Sequence, residues 1–282
     1  MKTNNDFFMQ YVDRLIDLAF DEDLFAGDVA TEAILPVNHL ATAVLTAKAD
    51  GVVSGIEIAR RVADRMGENT FEALLKDGDE VVKGQTIATI HAPYNQLLSS
   101  ERIMLNFLQR MSGIATMTRR LVKLVARTHA TLLDTRKTVP GHRMTDKMAV
   151  RHGGGSNHRM GLYDMAMLKD NHIKAAGGIT PAVAALRSKC SLATKIEVET
   201  TNLSEVKEAL QAGADIIMLD NMSLEMMRQA VEIIGGKAKT EASGNINEDT
   251  IAGVAATGVD FISVGALTHS VKALDISMNF SV

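Results

Sequence analysis

Charged residues or glycines follow six short apolar runs in the second half of the chain. They are Arg136 and Lys137, Lys169 and Asp170, Glu197 and Glu199, Asp220 and Asn221, Ser243 and Gly244, and Gly265. Runs of this kind, alternating with helical patterns, are typical of parallel βα units, and the active site of a βα barrel lies at the carboxyl ends of its strands. The pattern therefore favours a functional site over polar residues that only end strands.

Positive charge is concentrated around the first of these runs. Residues 134–174 contain four Arg and four Lys against four Asp, together with four His, whereas the whole chain has 30 Lys+Arg, 34 Asp+Glu and a net charge of −4. A basic cluster inside an acidic chain predicts a small anionic ligand and argues against nucleic acid as a partner. The glycines at 153–155 add backbone amides that can approach an anion closely.

Glycines at the last two predicted strands indicate a phosphate site. The segments SGN (243–245) and VGA (264–266) occupy the usual phosphate position of barrels. The carboxylates of Glu199 and Asp220, at the ends of successive strands, suit Mg²⁺ or sugar hydroxyls. Glu197 shares a strand face with Glu199 and is a further candidate for this site.

The predicted elements place these residues on a reduced or incomplete barrel. The periodicity predicts a helix over 8–20, strands and turns up to about residue 93, and helical structure over 99–125 with a break near Ser112 and Gly113. The domain boundary is placed at that break. Later helices are predicted over 181–190, 204–213, 223–234 and 248–257, and Thr180 and Pro181 are read as the N-cap and first residue of a helix.

Composition bounds the class of protein. The chain has 282 residues, of which 46% are hydrophobic, and a single cysteine, Cys190. The sequence shows neither a signal peptide nor 18 consecutive apolar residues. These features predict a globular, cytoplasmic protein that does not associate with a membrane.

A series of motifs resembles the quinolinate phosphoribosyltransferase family. The matching segments, in chain order, are SERIMLNFLQRMSGIAT (100–116), DTRKTVPGHR (134–143), KMAVRHGGGSNHRMGLYDMAMLKDNHI (147–173), IEVE (196–199), IMLDNM (217–222), EASGNI (241–246) and ISVGALTHS (262–270). The resemblance implies an α/β fold with an N-terminal open α/β sandwich domain over 1–112. An incomplete parallel α/β barrel of six to seven strands follows over 113–268, and a C-terminal segment, 269–282, packs back on the first domain.

The resemblance also implies the reaction and the assembly. Phosphoribosyl pyrophosphate and quinolinate give nicotinate mononucleotide, pyrophosphate and CO₂ for NAD biosynthesis. Mg²⁺ accompanies the phosphoribosyl substrate, and no organic cofactor is expected. The active sites are shared within a homodimer or an assembly of dimers.

Site residues are carried over from the family motifs. Arg136, His158, Arg159 and Lys169 would hold the quinolinate carboxylates, with Arg102 entering from the neighbouring subunit. Lys137, Glu199 and Asp220 are the expected catalytic residues: Lys137 would contact pyrophosphate, and the two acids the ribose and Mg²⁺. The residues expected at the 5′-phosphate are Ser243, Gly244, Asn245, Gly265 and Ala266.

A few residues differ from the family motifs, and other functions are also compatible with the sequence. Val139, His142 and Asn245 differ from the usual family residues, and Asn245 affects the expected geometry of the phosphate loop. One alternative is a related phosphoribosyltransferase that acts on another base. Others are a Schiff-base aldolase that uses Lys169 and a ligand-binding relative without catalytic activity.

Overall fold

The computed structural model describes residues 4–34 and 39–281. Its helices are α1 (Asn4–Leu24), α2 (Val29–Ile34), α3 (Ile56–Met66), α4 (Tyr94–Val125), α5 (Arg143–His152), α6 (Asp170–Ala176), α7 (Ile179–Lys189), α8 (Leu203–Gln211), α9 (Leu224–Ile234), α10 (Ile251–Ala255) and α11 (Ala266–His269). Its strands are β1 (Leu40–Ala47), β2 (Gly51–Val52), β3 (Thr70–Ala73), β4 (Glu80–Val81), β5 (Thr86–Pro93), β6 (Thr131–Leu133), β7 (Ala166–Leu168), β8 (Ile196–Thr200), β9 (Ile216–Asp220), β10 (Lys239–Ser243), β11 (Phe261–Ser263) and β12 (Ile276–Ser281). No helix within the described ranges is long and apolar enough to cross a membrane.

The chain folds into two compact units. One unit contains the residues up to Arg119, Thr138–Gly154 and the residues from Thr268 onward; the other contains Arg120–Lys137 and Gly155–Leu267. Residues 113–119 and 138–154 thus belong to the first unit, although the predicted division places them in the barrel domain. The predicted boundaries at 112 and 268 stay predictions.

The first unit is built on an antiparallel sheet in the order β12-β1-β5-β3. Along β1 the residues alternate between buried and more exposed positions, as expected for a strand with one face on the core. Strand β12 pairs with β1 over Thr42–Ala47, which ties the end of the described chain to this sheet. A bidentate ion pair at 2.8 and 2.9 Å joins Arg110 of α4 to the fully buried Asp146 of α5.

The predicted helix break near Ser112 and Gly113 is wrong, because α4 continues through both residues. A Cβ atom added to Gly113 would overlap the backbone carbonyl oxygen of Lys272. The glycine therefore permits close approach of the C-terminal segment to the helix. Nothing in the local sequence around Gly113 indicates a contact with a segment 159 positions away.

The second unit confirms the expected incomplete α/β barrel. Its six strands are all parallel, in the order β6-β11-β10-β9-β8-β7. Ser156 adds a single parallel bridge to Leu133 on the free edge of β6. Residues 157–165 then lead from this bridge to β7, at the opposite edge of the sheet.

The predicted N-cap at Thr180 is wrong. Helix α7 begins at Ile179 with Gly178 as its N-cap, so Thr180 and Pro181 both lie within the first turn. The N–H and hydroxyl of Thr180 instead donate to the carboxylate of Glu208 in α8, at 3.0 and 3.1 Å. A helix that starts two residues earlier still accommodates proline, because the first-turn N–H groups have no intrahelical acceptor.

Candidate active site

Three glutamates project from one face of the parallel sheet. Glu197 and Glu199 are two residues apart on β8 and therefore share a face. Met218 of β9 is in register with both Glu199 and Glu241, so Glu241 of β10 lies on this face too. Glu197 and Glu241 are fully buried, which places the face in the interior of the barrel unit.

Lys169 and Glu199 form an ion pair at the carboxyl ends of β7 and β8. The Nζ atom of Lys169, the residue just before α6, lies 2.6 Å from Oε2 of Glu199, and the two side chains are 48% and 16% exposed. An ion pair this accessible to water contributes about 0–1 kcal/mol. The lysine can therefore exchange its carboxylate partner for a bound anion with little loss of free energy.

The ends of β9 and β10 are joined through side-chain amides. Nδ2 of Asn221 donates to Asp220 at 2.8 Å, Nδ2 of Asn245 donates to Oδ1 of Asn221 at 3.0 Å, and the N–H of Asn221 donates to the carbonyl of Ser243 at 2.9 Å. These bonds fix Asp220 relative to the segment that follows β10.

Three residues of this network have a left-handed backbone: Asn221 (φ 53°), Gly244 (φ 96°) and Asn245 (φ 50°). Asparagine tolerates this conformation better than most residues do. Asn245 therefore supplies the backbone conformation that a glycine would supply there, so this departure from the usual family residue keeps the turn. Strained backbone concentrated at strand ends is characteristic of functional sites.

The two predicted phosphate segments lie on neighbouring strands. Ser243–Asn245 ends and follows β10, whereas Gly265 and Ala266 follow β11, the next strand of the sheet. Parallel neighbours bring their carboxyl ends to the same edge, so both segments belong to one end of the barrel unit.

Two guanidinium groups of the barrel unit interact although they carry like charges. Burial, together with the charge of Arg136, lowers the pKa of Arg159 below its usual value, and Glu197 acts in the opposite direction. Arg159 donates to the carbonyl of Met165 at 3.2 Å and approaches Sδ of Met167 at 3.6 Å. Like charges held together in a partly buried place favour binding of an anion.

His158, the residue before Arg159, contacts two of the buried glutamates. Its side chain is 6% exposed, and Nε2 lies 3.1 Å from Glu197 and 3.4 Å from Glu241. Burial disfavours the charged imidazole, whereas the hydrogen bonds and charges of the two glutamates favour it and raise the pKa of His158 above its usual value. The backbone N–H of Arg159 acts in the opposite direction, because Nδ1 can accept this N–H only in the neutral imidazole, whose proton is then on Nε2 and faces the glutamates. Burial also raises the pKa of Glu197.

The backbone around His158 is held by a buried aspartate. Asp134, immediately after β6, accepts from the N–H of His158 at 2.9 Å and from Nδ2 of Asn157 at 2.6 Å. The N–H of Arg159 in turn donates to Nδ1 of His158 at 2.7 Å.

Known proteins similar to this chain identify its family. The family model for the quinolinate phosphoribosyl transferase N-terminal domain matches residues 28–112, and that for the C-terminal domain matches residues 114–279. The chain belongs to the quinolinate phosphoribosyltransferase family.

Individual relatives agree with this assignment over nearly the whole chain. A probable nicotinate-nucleotide pyrophosphorylase [carboxylating] of Bacillus subtilis is 43% identical over 95% of this chain and 93% of its own length. A chloroplastic nicotinate-nucleotide pyrophosphorylase [carboxylating] of Arabidopsis thaliana is 45% identical over 94% of this chain and 81% of its own length. The crystal structure of NadC from Streptococcus pyogenes matches with a TM-score of 0.93 and 42% identity, over 96% of each chain.

The barrel of this family member brings most of the predicted site residues to one end of its strands. Arg136, Lys169, Glu199, Asp220, Ser243–Asn245 and Gly265–Ala266 all end or follow strands of the parallel sheet, and Lys137 is exposed just after Arg136. Arg102 is exposed on α4, in the other unit. Its predicted role in a neighbouring subunit's site stays a prediction.

The predicted magnesium ligands have the right chemistry for that ion. Glu199 and Asp220 end neighbouring strands, and both are partly exposed. Carboxylate oxygens combined with water suit Mg²⁺. In the present structure each carboxylate accepts from a side-chain nitrogen, Glu199 from Lys169 and Asp220 from Asn221, so water-mediated binding fits them best.

Several residues of the site are not identified by the sequence motifs. Glu241 lies two positions before Ser243 on β10, so the alternation that relates Glu197 to Glu199 predicts that Glu241 faces inward as well. Asp134 and Asn157 lie within the matching motifs, but the motifs give neither of them a role. No simple sequence signal identifies their contact, because it joins positions 23 apart across the end of a strand.

Proposed function

We propose that this protein transfers phosphoribosyl from phosphoribosyl pyrophosphate to quinolinate with loss of CO₂, and so forms nicotinate mononucleotide in NAD biosynthesis. The observation that carries the proposal is a group of three cationic side chains in the barrel unit: Arg159 contacts Met167 of β7, the charge of Arg136 acts on Arg159, and Lys169 directly follows β7. Quinolinate is a dianion, and planar guanidinium forks match carboxylates well. Lys169 supplies a third positive charge at modest cost, because its present partner is a partly exposed glutamate.

The phosphoribosyl substrate is assigned to the carboxyl ends of strands β8 to β11. The backbone amides of the segments after β10 and β11 are the expected donors to its 5′-phosphate. Asp220 and Glu199 are placed at the ribose hydroxyls, and Lys137 at the pyrophosphate. Mg²⁺, when bound, neutralises charge on the leaving pyrophosphate.

The reaction then needs positioning and electrostatics more than covalent catalysis. The pyridine nitrogen attacks C1 of the ribose as the bond from C1 to pyrophosphate breaks, and nearby carboxylates stabilise positive charge developing on the ribose. The resulting pyridinium withdraws electrons, which favours loss of the adjacent carboxylate as CO₂; C2 then takes up a proton. Fixing both substrates can lower the barrier by about 7–11 kcal/mol.

The proposal extends to assembly and location. We infer a homodimer, or an assembly of dimers, in which Arg102 of one subunit completes the quinolinate site of the next. A cytoplasmic location fits a chain with one cysteine. The aldolase reading of Lys169 loses support here, since such a lysine needs desolvation, whereas Lys169 is half exposed and paired with Glu199.

Alanine variants of Arg136 and Arg159 test the assignment of the dianion. Each is expected to raise the KM for quinolinate by at least about tenfold, because a charge-assisted hydrogen bond contributes about 1.5–3 kcal/mol, and to change the KM for phosphoribosyl pyrophosphate much less. Arg187→Ala is the matched control, since Arg187 lies in the same unit but pairs with Asp215, which precedes β9, at 2.8 Å. Equal effects of the three substitutions on quinolinate would contradict the assignment.

A further inference from the structure

We propose that His158, Glu197 and Glu241 form a buried positioning cluster that holds Arg159 in the quinolinate site, so that His158 acts through Arg159 and not by contacting the substrate. The name "positioning cluster" denotes these three residues. The proposal rests on the function proposed above, and it changes the role that the family resemblance implies for His158.

Both ring nitrogens of His158 are engaged within the protein. Nδ1 accepts the N–H of Arg159 at 2.7 Å, and Nε2 faces the carboxylates of Glu197 and Glu241 at 3.1 and 3.4 Å. An imidazole has only these two polar atoms. With its side chain 6% exposed, His158 has no nitrogen directed to a ligand in this arrangement.

The positioning cluster lies on a segment that hydrogen bonds of the β-sheet do not hold in place. After the single bridge at Ser156, the segment that carries His158 and Arg159 leaves β6 and runs to β7 at the other edge of the sheet. Side chains must therefore hold it. Asp134 binds the N–H of His158, and the positioning cluster binds its ring.

The negative charges of Glu197 and Glu241 explain why two carboxylates are buried in this cluster. The carboxylate oxygens of Glu197 and Glu241 are buried and have no well-aligned hydrogen bond among the described residues, although His158 lies within ion-pair distance of both. Buried carboxylates of this kind are poor stabilisers of a fold compared with apolar residues. Here they offset positive charge, because Glu197 favours the charged form of Arg159 whereas Arg136 opposes it.

The first experiment compares Glu241→Gln with wild-type protein in steady-state kinetics. We expect the KM for quinolinate to rise about 10- to 100-fold, since small displacements of a binding group have effects of this size. The kcat and the KM for phosphoribosyl pyrophosphate are expected to change less than about threefold. Glu241→Asp, which keeps the charge, should recover part of the loss, and Glu225→Gln on the exposed start of α9 is the control for loss of one carboxylate.

A double-mutant cycle separates positioning from direct contact. His158→Asn and Glu241→Gln act through the same group under the proposal, so the double variant should be little worse than His158→Asn alone. Multiplicative effects on the KM for quinolinate would overturn the proposal, as would a folded Glu241→Gln with an unchanged KM. If Glu241→Gln does not fold, Glu197→Gln, which removes the other carboxylate that faces His158, is judged by the same two outcomes.

Hydrogen exchange provides a readout that does not depend on activity. The Arg159 amide, bonded to His158, should exchange slowly in wild-type protein and faster in Glu241→Gln, whereas Glu225→Gln leaves it unchanged. Faster exchange with no turnover of quinolinate by wild-type protein would refute the proposed function and retain the cluster. Unchanged exchange in Glu241→Gln, or one equivalent of a transition metal bound by the purified protein and lost in that variant, would overturn the cluster.

Discussion

Gly244→Ala tests whether the joined ends of β9 and β10 serve the phosphoribosyl substrate. Gly244 has φ +96°, and an added Cβ would overlap the side-chain amide of Asn221. The left-handed backbone alone costs alanine about 1–2 kcal/mol. The overlap adds a second effect, because the amide of Asn221 must move away from its partners.

The magnitude of that second effect follows from the bonds that Asn221 makes. Its amide donates to Asp220 at 2.8 Å and accepts from Asn245 at 3.0 Å. Each bond contributes about 1 kcal/mol net, so losing both weakens the arrangement by about 2 kcal/mol. If binding of phosphoribosyl pyrophosphate requires this arrangement, the variant must restore it at a cost of about 2 kcal/mol, and the kcat/KM for phosphoribosyl pyrophosphate falls about 30-fold.

Gly258→Ala is the matched control for this experiment. Gly258 has φ +90°, but an added Cβ would meet only Cγ1 of Val231, at an ordinary 3.6 Å. Gly258→Ala should therefore lose only the cost of the left-handed backbone, about 1–2 kcal/mol, whereas Gly244→Ala should lose about 2 kcal/mol more through the bonds of Asn221. Steady-state kinetics with varied phosphoribosyl pyrophosphate and saturating quinolinate should show the 30-fold loss in Gly244→Ala alone, and equal kcat/KM values in the two variants would refute the reasoning.

Three further predictions concern subunits, Lys169 and pH. Arg102→Ala and Arg136→Ala homodimers are each expected to be inactive, whereas mixed dimers recover part of the activity; no recovery despite measured subunit exchange would exclude shared sites. Lys169→Ala should raise the KM for quinolinate about 10- to 100-fold, as expected for loss of a charge-assisted contact, and equal effects on both substrates in steady-state kinetics would count against this role. Although burial opposes it, the hydrogen bonds of Lys239 and Thr240 lower the pKa of Asp260, so its stabilisation is present above pH about 4 and lost as pH falls further. Urea unfolding should thus show Asp260→Asn less stable than wild type at pH 7, with the difference shrinking toward pH 3; a constant difference would show that the carboxylate charge is not responsible.

The parallel unit is the part of the fold that sequence patterns predict best. Short runs such as residues 196–200 and 216–220 become strands, because strands of a parallel sheet are buried on both faces and are bounded by turns. Amphipathic segments such as 224–234 become helices, because their apolar residues recur at helical spacing on one buried face. The wrong predictions at Gly113 and Thr180 show that patterns of neighbouring residues do not reveal contacts with distant ones. The role of each is decided by a contact with a distant residue, Lys272 or Glu208.

The candidate site also contains residues that could be predicted from the sequence and residues that could not. Residues at strand ends, such as Glu199 and Asp220, could be placed because parallel strands bring their carboxyl ends together. The contacts of the His158 ring could not be predicted, because they join the neighbouring residue Arg159 to Glu197 and Glu241 on two separate strands. A motif gives the residue type at such a position but not the direction of each ring nitrogen.

The most direct test of the central claim is turnover of quinolinate with phosphoribosyl pyrophosphate and Mg²⁺, with CO₂ and nicotinate mononucleotide measured together. We expect the two products in equal amounts, and none from nicotinate in place of quinolinate, because the paired guanidiniums and Lys169 are assigned to a dianion. Turnover of nicotinate at a comparable rate would contradict that assignment. No product from quinolinate, in protein that still binds phosphoribosyl pyrophosphate, would contradict the proposed reaction and leave the phosphate site in place.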